Sequence, residues 1–413
     1  MTGKVKLKKY QFNTVTISGS KNSSLPIIAG CILCDEQVIL NNVPDISDVH
    51  LLISILKNMG IDIVFKNNNV IYKPSFVKQK YFNYNSIKKL RGSYYIMGSL
   101  IGKANDIHFS FLYPGGCKFS TRPINYHLQA FKNMGIKIKA NNKKINFKGN
   151  KHAATHNLPF PSVGATINII LASSKIEATT YINNASIEPE VIDLCNFLIS
   201  MGANIKISNR TITINGKKEF KKTNYEIMED RIEAGTFLIL GALHDGIQIN
   251  NVNPKNLEPL IDLLKQIGFN IKSEYNTITL YNKKESLLPF NLEINPFPSF
   301  PTDLGPLICV LASQINGLSN IIDKVYKDRI SHINELQKFN INITNYDNII
   351  TIKGINKINN CTACALDLRC GAALIIAASL SNEYSIITNV ENILRGYEKL
   401  SEKLNSLGIE FSY

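Results

Sequence analysis

Residues 56–63 of the chain, LKNMGIDI, return almost unchanged at residues 131–138 as FKNMGIKI. Each segment is typical of the end of an amphipathic helix, closed by an apolar residue and Gly, followed by an alternating strand. Related segments occur four more times: LISMGANI at 198–205, LKQIGFNI at 264–271, LQKFNINI at 336–343 and LNSLGIEF at 404–411. The fifth copy has Asn340 where the others have Gly. Gly and Asn are the residues that best tolerate the left-handed conformation that closes a helix.

The six predicted helix ends follow one another at intervals of 75, 67, 66, 72 and 68 residues, which indicates an internal repeat. Between them lie apolar segments rich in small residues and opened by polar ones: SVGAT at 162–166, DRIEAG at 230–235 and DLRCGAA at 367–373. Helices that are apolar all round are buried. The sequence therefore predicts six copies of a unit of strand, amphipathic helix, strand, buried helix and strand, which is an α/β fold.

Length and composition limit the class of protein. A chain of 413 residues is long enough for two or three domains. No apolar run approaches the length of a membrane span, and the first residues lack the apolar core of a signal peptide, so we expect a cytoplasmic protein with no membrane partner. The net charge of +14 is compatible with a nucleic-acid partner. The lysines are scattered, however, and no basic block is interleaved with aromatic residues, so we predict no such partner.

The eight cysteines do not resemble the disulfide framework of a small secreted protein. Two pairs have CxxC spacing, Cys31 with Cys34 and Cys361 with Cys364, and two such pairs could form a zinc site. The first pair lies in an apolar segment that is typical of a buried helix. We therefore predict that these cysteines pack in the core, and we expect no metal site.

Only seven of the 46 basic residues are arginine: Arg91, Arg122, Arg210, Arg231, Arg329, Arg369 and Arg395. The guanidinium group differs from the lysine ammonium because it holds phosphate and carboxylate in two-point contacts. All but Arg210, which we expect to be an ordinary surface residue, lie in or beside the densest motifs. Several also lie where a buried helix begins, and helix N-termini attract anions. The pattern indicates a small, multiply anionic substrate.

The repeats, together with eight short motifs, resemble the enolpyruvyl transferase family. The motifs are SGSKN at 18–22, PGGC at 114–117, RP at 122–123, SVGAT at 162–166, EPE at 188–190, PTD at 301–303, DLR at 367–369 and RGYE at 395–398. The resemblance runs from Ile17 to the C-terminus. It implies two inside-out α/β barrel domains of three repeated βαβαβ-type units each, with the active site in the cleft between the domains. It also implies that the chain crosses twice between the domains, residues 1–19 with 230–413 forming one and residues 20–229 the other.

Within the family, the motifs resemble those of enzymes that act in peptidoglycan precursor synthesis. The resemblance implies transfer of the enolpyruvyl group of phosphoenolpyruvate to the 3-hydroxyl of UDP-N-acetylglucosamine, with release of phosphate. The implied route is addition and elimination through a tetrahedral intermediate, and it involves no metal or organic cofactor. The implied partners are these two small substrates, and the oligomeric state stays open.

Cys117 resembles the family's general acid. It follows Pro114 and two glycines, with Lys118 and Arg122 close in sequence, and nearby positive charge makes a thiol more reactive. The alternative, a loop cysteine without a role, is the commoner case for a lone cysteine. The resemblance further implies that this thiol attacks phosphoenolpyruvate and is alkylated by fosfomycin.

The remaining site residues are also assigned by resemblance. Asp303 is similar to the base for the sugar hydroxyl, although PTD is also a helix-capping signal and both roles can hold at once. Lys21, Arg122 and Arg395 resemble the clamp on the phosphate, with Lys21 and Arg395 also catalytic. Arg329 and Arg369 resemble the partners of the carboxylate. For any one of these cations the alternative is a surface salt bridge.

The residues that resemble the contacts to UDP-N-acetylglucosamine are Asn22, Arg91, Arg122, Pro123, Asn125, Ser162, Val163, Gly164, Asp303 and Val325. Val163 and Gly164 would offer backbone N–H groups to the diphosphate, whereas Glu188 and Glu190 match a motif whose role stays open. The chain departs from the family pattern at four positions. Asn125 replaces the usual Asp, Phe160 a frequent Lys, and Lys118 and Ser120 small residues of the Cys117 loop.

Two other functions remain as alternatives. The sister enzyme 5-enolpyruvylshikimate-3-phosphate synthase has the same fold, but it lacks the PGGC loop and has Ser where Asn22 stands. A non-catalytic relative, or a basic scaffold for acidic polymers, would lose motif residues that are all present here. Both alternatives are therefore less favoured than the enolpyruvyl transfer to UDP-N-acetylglucosamine.

Overall fold

The computed structural model describes residues 1–74, 81–82, 84–115, 124–283 and 286–413. The described chain divides into two compact units. Unit A comprises the described residues between 19 and 228, and unit B comprises residues 1–18 with the described residues between 229 and 413. The chain begins in unit B with two strands, β1 (Thr2–Leu7) and β2 (Thr14–Thr16).

Unit A alternates strands with helices throughout. Its helices are α1 (Lys21–Gly30), α2 (Ser47–Asn58), α3 (Tyr95–Lys103), α4 (Asn125–Asn133), α5 (Val163–Ser173) and α6 (Pro189–Ser200). Its strands are β3 (Val38–Asn41), β4 (Asp62–Lys66), β5 (Asn69–Lys73), β6 (Tyr81–Phe82), β7 (Ile107–Leu112), β8 (Lys137–Ala140), β9 (Lys144–Gly149), β10 (Thr155–Asn157), β11 (Thr179–Asn183), β12 (Asn204–Ser208), β13 (Thr211–Asn215) and β14 (Thr223–Glu226).

Unit B repeats the same order. Its helices are α7 (Arg231–Leu243), α8 (Glu258–Ile267), α9 (Gly305–Ala312), α10 (Ser331–Gln337), α11 (Leu368–Ala378), α12 (Glu391–Leu394) and α13 (Leu400–Ser406). Its further strands are β15 (Ile247–Asn250), β16 (Phe269–Glu274), β17 (Thr277–Lys283), β18 (Asn291–Ile294), β19 (Gly317–Asp323), β20 (Asn342–Tyr346), β21 (Ile349–Gly354), β22 (Thr362–Cys364), β23 (Ser385–Thr388) and β24 (Ile409–Ser412).

The strands form six separate four-stranded sheets, three in each unit. Those of unit A have the orders β14-β3-β5-β4, β6-β7-β9-β8 and β10-β11-β13-β12. Those of unit B have the orders β2-β15-β17-β16, β18-β19-β21-β20 and β22-β23-β1-β24. In every sheet the first two strands are parallel and the other neighbours are antiparallel, as β14, β3, β5 and β4 illustrate. The predicted α/β class and its six repeats are confirmed.

The helix ends predicted from the repeated segments have the expected backbone conformation. The turn residues all have positive φ: 89° at Gly60, 88° at Gly135, 102° at Gly202, 122° at Gly268, 66° at Asn340 and 79° at Gly408. The strand predicted after each turn is in fact the first strand of a hairpin. In the first and fifth repeats, two-residue turns with positive φ at both positions join the hairpin, Asn67–Asn68 and Asp347–Asn348. Such turns match the twist of paired strands, so each repeat has one strand more than the pattern indicated.

The apolar helices lie in the core of each unit. Almost every residue of α5 and α7 is buried, including the small residues that let neighbouring helices approach closely. In unit A, α3 packs against α1 and α5, and in unit B, α9 packs against α7 and α11. The sheets bury alternate residues, so one face of each sheet covers these helices and the other faces solvent.

The N-terminal strand completes the last repeat. β1 pairs antiparallel with β23, Thr2 opposite Thr388, and with β24, Lys4 opposite Ser412. It thus takes the sheet position that β5 and β9 take in their own repeats. The last repeat is therefore built from both ends of the chain.

The cysteine pairs that raised the question of zinc belong to different units. Cys31 and Cys34 are buried in unit A, and burial raises the pKa of the Cys31 thiol. Cys361 and Cys364 are half-buried in unit B. Within the described ranges, no three His, Cys, Asp or Glu side chains are arranged to hold a metal ion. None of the helices in the described part of the chain is both long and apolar enough to cross a bilayer.

Candidate active site

In unit B, one carboxylate lies between two of the predicted arginines. Asp303 Oδ1 lies 2.8 Å from Arg329 Nη2. Asp303 Oδ2 accepts hydrogen bonds from Arg369 Nη2 at 2.9 Å and from Arg369 Nε at 3.1 Å. The residues come from three elements: the 3₁₀ turn Thr302–Leu304 before α9, the loop after β19 and the first turn of α11. Three residues predicted to form one site are thus brought together.

Arg329 is held by groups of its own unit. Its Nη1 donates to the Thr302 carbonyl at 2.5 Å and to Thr302 Oγ1 at 3.1 Å, and its guanidinium carbon lies 5.0 Å from the centre of the Tyr326 ring. Thr302 Oγ1 donates in turn to Asp323 Oδ2 at 2.6 Å. Asp323 Oδ1 accepts the backbone N–H groups of Val325 and Tyr326 at 2.9 and 2.8 Å. The carboxylate of Asp323 thereby fixes the loop that presents both Arg329 and the predicted nucleotide contact Val325.

Arg369 is held from the other side by hydroxyl groups. Its Nη1 donates to Tyr397 Oη at 3.2 Å, and Tyr397 Oη is 2.8 Å from Thr236 Oγ1 on α7. Burial alone would lower the pKa of Arg369, but Asp303 and other neighbouring groups raise it, so the guanidinium stays charged in the core. The start of its helix is capped by Asp367, whose Oδ1 accepts from the N–H groups of Arg369 and Cys370 at 2.9 and 3.0 Å.

The charged residues of this cluster were predicted from the sequence, but the residues that hold the two arginines in place were not. Thr302 and Tyr397 occur in motifs quoted for the resemblance, whereas Asp323 and Thr236 do not. Asp323 ends β19, and a carboxylate at a strand end before a loop with Arg329 is a signal that the sequence does contain. The other predicted cation of unit B, Arg395, is half-buried at the end of α12.

In unit A, the predicted phosphate ligand Lys21 opens the buried helix α1. The preceding Ser20 caps this helix, its Oγ accepting from the N–H of Ser23 at 3.2 Å. Lys21 Nζ lies 2.8 Å from Oδ2 of Asp48, in the first turn of α2, and both side chains are largely buried. Asn22 follows on the same helix and is half-buried. Asp48 is a partner of Lys21 that sequence reasoning missed.

A second group in unit A surrounds the start of α5. Ser162 caps the helix, its Oγ accepting from the Ala165 N–H at 3.4 Å, with Val163 and Gly164 in the first turn. A Cβ on Gly164 would lie 2.7 Å from Tyr94 Oη, so a larger residue would force the Tyr94 side chain to move. The Arg91 guanidinium carbon lies 5.7 Å from the centre of the Tyr94 ring. Arg91 and the α5 N-terminus are therefore linked through one aromatic side chain.

His127, on α4, is buried beside this group. Its ring packs against Tyr94 with centroids 4.9 Å apart, and its Nδ1 lies 2.8 Å from Nδ2 of Asn168. Burial, with a further contribution from Arg91, lowers the pKa of His127 to about 3, so the ring is neutral. Asn125, predicted as a nucleotide contact, is exposed in the first turn of the same helix.

Several predicted residues lie outside the described residues: Cys117, Arg122 and Pro123, together with the departures Lys118 and Ser120. Phe160, the other departure from the family pattern, is half-buried just before α5. Arg231 opens α7, and its guanidinium carbon lies 5.5 Å from the centre of the Phe297 ring. Arg210, expected to be an ordinary surface residue, is half-buried and donates to the Ala185 carbonyl at 3.3 Å. This contact gives it a structural role.

Comparison with known proteins extends the likeness over nearly the whole chain. The model of the family described as EPSP synthase (3-phosphoshikimate 1-carboxyvinyltransferase) matches residues 5–404. UDP-N-acetylglucosamine 1-carboxyvinyltransferase of Halothermothrix orenii is 38% identical over 96% of this chain and 95% of its own. The protein of the same name from Pelagibacter ubique is 36% identical over 98% of this chain and 97% of its own.

Solved structures share the fold at lower identity. The enolpyruvyl transferase NikO from Streptomyces tendae matches with a TM-score of 0.89 at 19% identity, covering 100% of this chain and 98% of that one. EPSP synthase from Acinetobacter baumannii matches with a TM-score of 0.74 at 18% identity, covering 100% of both chains. The match of the family model and the identity to these relatives show that the chain belongs to the EPSP synthase family of enolpyruvyl transferases.

Proposed function

We propose that the chain transfers the enolpyruvyl group of phosphoenolpyruvate to the 3-hydroxyl of UDP-N-acetylglucosamine and releases phosphate, the first committed step of peptidoglycan precursor synthesis. The observation that carries the proposal is the identity of 36–38%, over almost the full length of both chains, to relatives named for this transfer. The Asp303 cluster supports it, because two buried guanidinium groups around one carboxylate position suit a substrate that is itself a carboxylate.

The substrate phosphoenolpyruvate has two anionic groups, and the chain offers a set of cations for each. Arg329 and Arg369 would hold the carboxylate, since both are already fixed by hydrogen bonds from behind. Lys21, Arg122 and Arg395 would hold the phosphate. Binding both ends of a small molecule fixes the carbon atoms between them, which lowers the entropic part of the activation barrier.

The addition then needs two proton transfers and the elimination needs one. In the addition, the sugar 3-oxygen bonds to C2 of phosphoenolpyruvate, its proton passes to Asp303, and C3 receives a proton from Cys117. This gives a tetrahedral intermediate with a C3 methyl group. In the elimination, the methyl group loses a proton to a base, the double bond forms again, and the C2–O bond to phosphate breaks. The route consists of one C–O bond formed at C2, proton transfers and the departure of phosphate, so we expect neither a metal nor an organic cofactor.

We assign the nucleotide sugar to residues around the start of α5 and to Val325, as the resemblance implies. Asn22, Arg91, Arg122, Pro123, Asn125, Ser162, Val163 and Gly164 are the proposed contacts in the first half of the chain, with Asp303 in the second. The capped N-terminus of α5 offers backbone N–H groups and a positive helix dipole, which favour a diphosphate. We place the activity in the cytoplasm, without a nucleic-acid or membrane partner.

Phosphate release from phosphoenolpyruvate tests the proposal, with either UDP-N-acetylglucosamine or shikimate-3-phosphate as the acceptor. We expect release with the nucleotide sugar. Release with shikimate-3-phosphate alone would establish the sister activity instead, and release with neither would favour a non-catalytic relative. Labelling by fosfomycin tests the assignment of the acid separately: the wild-type chain should be alkylated and Cys117→Ser should not. Labelling that persists in Cys117→Ser would show that another cysteine reacts.

A further inference from the structure

The two arginines assigned to the substrate carboxylate already hold a carboxylate of the chain itself. One oxygen of Asp303 faces Arg329 at 2.8 Å, and the other faces Arg369 at 2.9 Å. Each carboxylate oxygen thus has its own guanidinium group, which is how arginine pairs recognise a carboxylate ligand. Asp303, the proposed base, is therefore bound to the two arginines that are proposed to hold the carboxylate of phosphoenolpyruvate.

Of the three partners, Asp303 is the one that is open to solvent. Its side chain is 23% exposed, whereas the side chains of Arg329 and Arg369 are 4% and 6% exposed. The arginines are also tied from behind by the Thr302 carbonyl and by Tyr397 Oη. An exchange of partners is therefore more easily made by moving Asp303 than by moving either arginine.

The ion pairs have a chemical consequence for Asp303. A carboxylate between two guanidinium groups accepts a proton poorly, because its negative charge is already stabilised. Removing it without a replacement would take the closest carboxylate away from two buried guanidinium groups, which is costly. A second carboxylate of the same charge and shape avoids that cost, since it restores both contacts as Asp303 leaves.

We propose that Asp303 is an exchangeable occupant of the carboxylate site, and that the carboxylate of phosphoenolpyruvate displaces it from Arg329 and Arg369. Displacement frees Asp303 to accept the proton of the sugar hydroxyl, so the base becomes active only when phosphoenolpyruvate is bound. This inference rests on the proposed function. It adds that one event, the exchange of carboxylates, both binds the substrate and activates the base.

Binding of phosphoenolpyruvate to Asp303→Asn tests the exchange. The variant keeps the size of the side chain and loses the competing charge, so the dissociation constant for phosphoenolpyruvate should fall by roughly tenfold, as expected when a mostly closed site is opened. Inorganic phosphate, which has no carboxylate, should bind as it does to the wild-type chain. Calorimetry measures both, with UDP-N-acetylglucosamine lacking its 3-hydroxyl present so that no turnover occurs.

Two variants make the measurement specific. Asp328→Asn removes the same charge from an exposed residue next to Arg329, and its affinity for phosphoenolpyruvate should stay within about twofold of wild type. Asp303→Ala provides a second removal of the carboxylate, in case the Asn variant does not fold, and should show the same selective gain.

The outcomes separate this inference from the proposed function. Unchanged or weaker binding of phosphoenolpyruvate in both Asp303 variants, with an active wild-type chain, would overturn the exchange and leave the function intact. An equal gain in affinity for phosphoenolpyruvate and inorganic phosphate would show that the loss of a negative charge alone explains the effect, and would also overturn the exchange. A wild-type chain that releases no phosphate from phosphoenolpyruvate would overturn both.

Discussion

Two contacts between an Asp and a basic side chain at the start of α2 differ in burial more than in distance, and the second is an ion pair only when His50 is protonated. Lys21 and Asp48 pair at 2.8 Å with side chains 11% and 4% exposed, whereas Asp45 and His50 pair at 2.6 Å with both side chains half-exposed. A buried cation that loses its partner is costly, and an exposed pair contributes little. We expect Asp48→Asn to lower the free energy of unfolding by about 3 kcal/mol, and Asp45→Asn by less than about 0.5 kcal/mol. Urea unfolding measures both variants.

The Asp48 and Asp45 variants also test whether Lys21 binds the phosphate of the substrate. If Asp48 positions Lys21, Asp48→Asn should also raise the KM for phosphoenolpyruvate, whereas Asp45→Asn should leave it unchanged. Equal losses of stability in the two variants would contradict the role of burial. A destabilised Asp48→Asn with an unchanged KM would mean that the pair supports the fold but not the ligand.

His127 makes stability depend on pH with a defined sign. An unfolded histidine takes up a proton near pH 6.5, but in the folded chain His127 does so only near pH 3. The unfolded state therefore binds more protons between these values, and stability that is complete above pH 6.5 is lost as the pH falls toward 3. We expect His127→Gln to reduce the slope of the unfolding free energy between pH 6 and 4 by up to about 1.4 kcal/mol per pH unit. His108→Gln, an exposed control, should keep the wild-type slope. An unchanged slope in His127→Gln would show that the ring is charged in the folded chain.

At the scale of elements, a substitution of the glycine that follows α6 measures the cost of backbone strain without a contribution from packing. Gly202 has φ of 102°, and a Cβ placed on it would meet no atom within 4 Å. We expect Gly202→Ala to lower the free energy of unfolding by about 1–2 kcal/mol from the backbone alone, and Gly202→Asn to cost less because Asn tolerates left-handed geometry. Urea unfolding of both variants checks this order. Equal costs would indicate that the helix end relaxes to another conformation.

The repeated elements show which part of the fold is visible in the sequence. The six helix ends are predictable because a single residue type marks a single backbone conformation. A second repeated feature is equally local but was missed, an Asn with positive φ directly after a central strand. Its side-chain amide donates to a carbonyl beyond the parallel neighbour strand: Asn42 to Ile227 at 2.9 Å, Asn184 to Leu158 at 2.8 Å and Asn251 to Ile17 at 2.8 Å. Because the chain is rich in Asn, these positions cannot be told apart from the many other Asn residues in the sequence.

At the scale of the whole molecule, the site was predictable only as a set of residues. Arginine scarcity and the motifs pointed to Asp303, Arg329 and Arg369, but their pairing spans 66 residues of sequence between Asp303 and Arg369. Local patterns contain no information on such a contact, because it depends on how α9 and α11 pack in the core. The supports Asp323 and Thr236 were missed for the same reason.

Because β1 completes the last repeat of unit B, a destabilising change in this strand should affect unit B more than unit A. Val5 is fully buried in the centre of the β22-β23-β1-β24 sheet, whereas Lys4 on the same strand is exposed. A carboxylate at position 5 would be buried without a partner, so Val5→Asp should loosen unit B by about 3 kcal/mol or more. Hydrogen exchange should then speed up in α7, α9 and α11 and much less in α1, α3 and α5, because β1 pairs only with strands of unit B. Lys4→Asp should leave exchange close to wild type in both sets of helices. Equal loosening of the two sets in Val5→Asp would show that the units unfold as one, and an effect of Lys4→Asp of the same size would show that charge rather than burial on β1 decides stability.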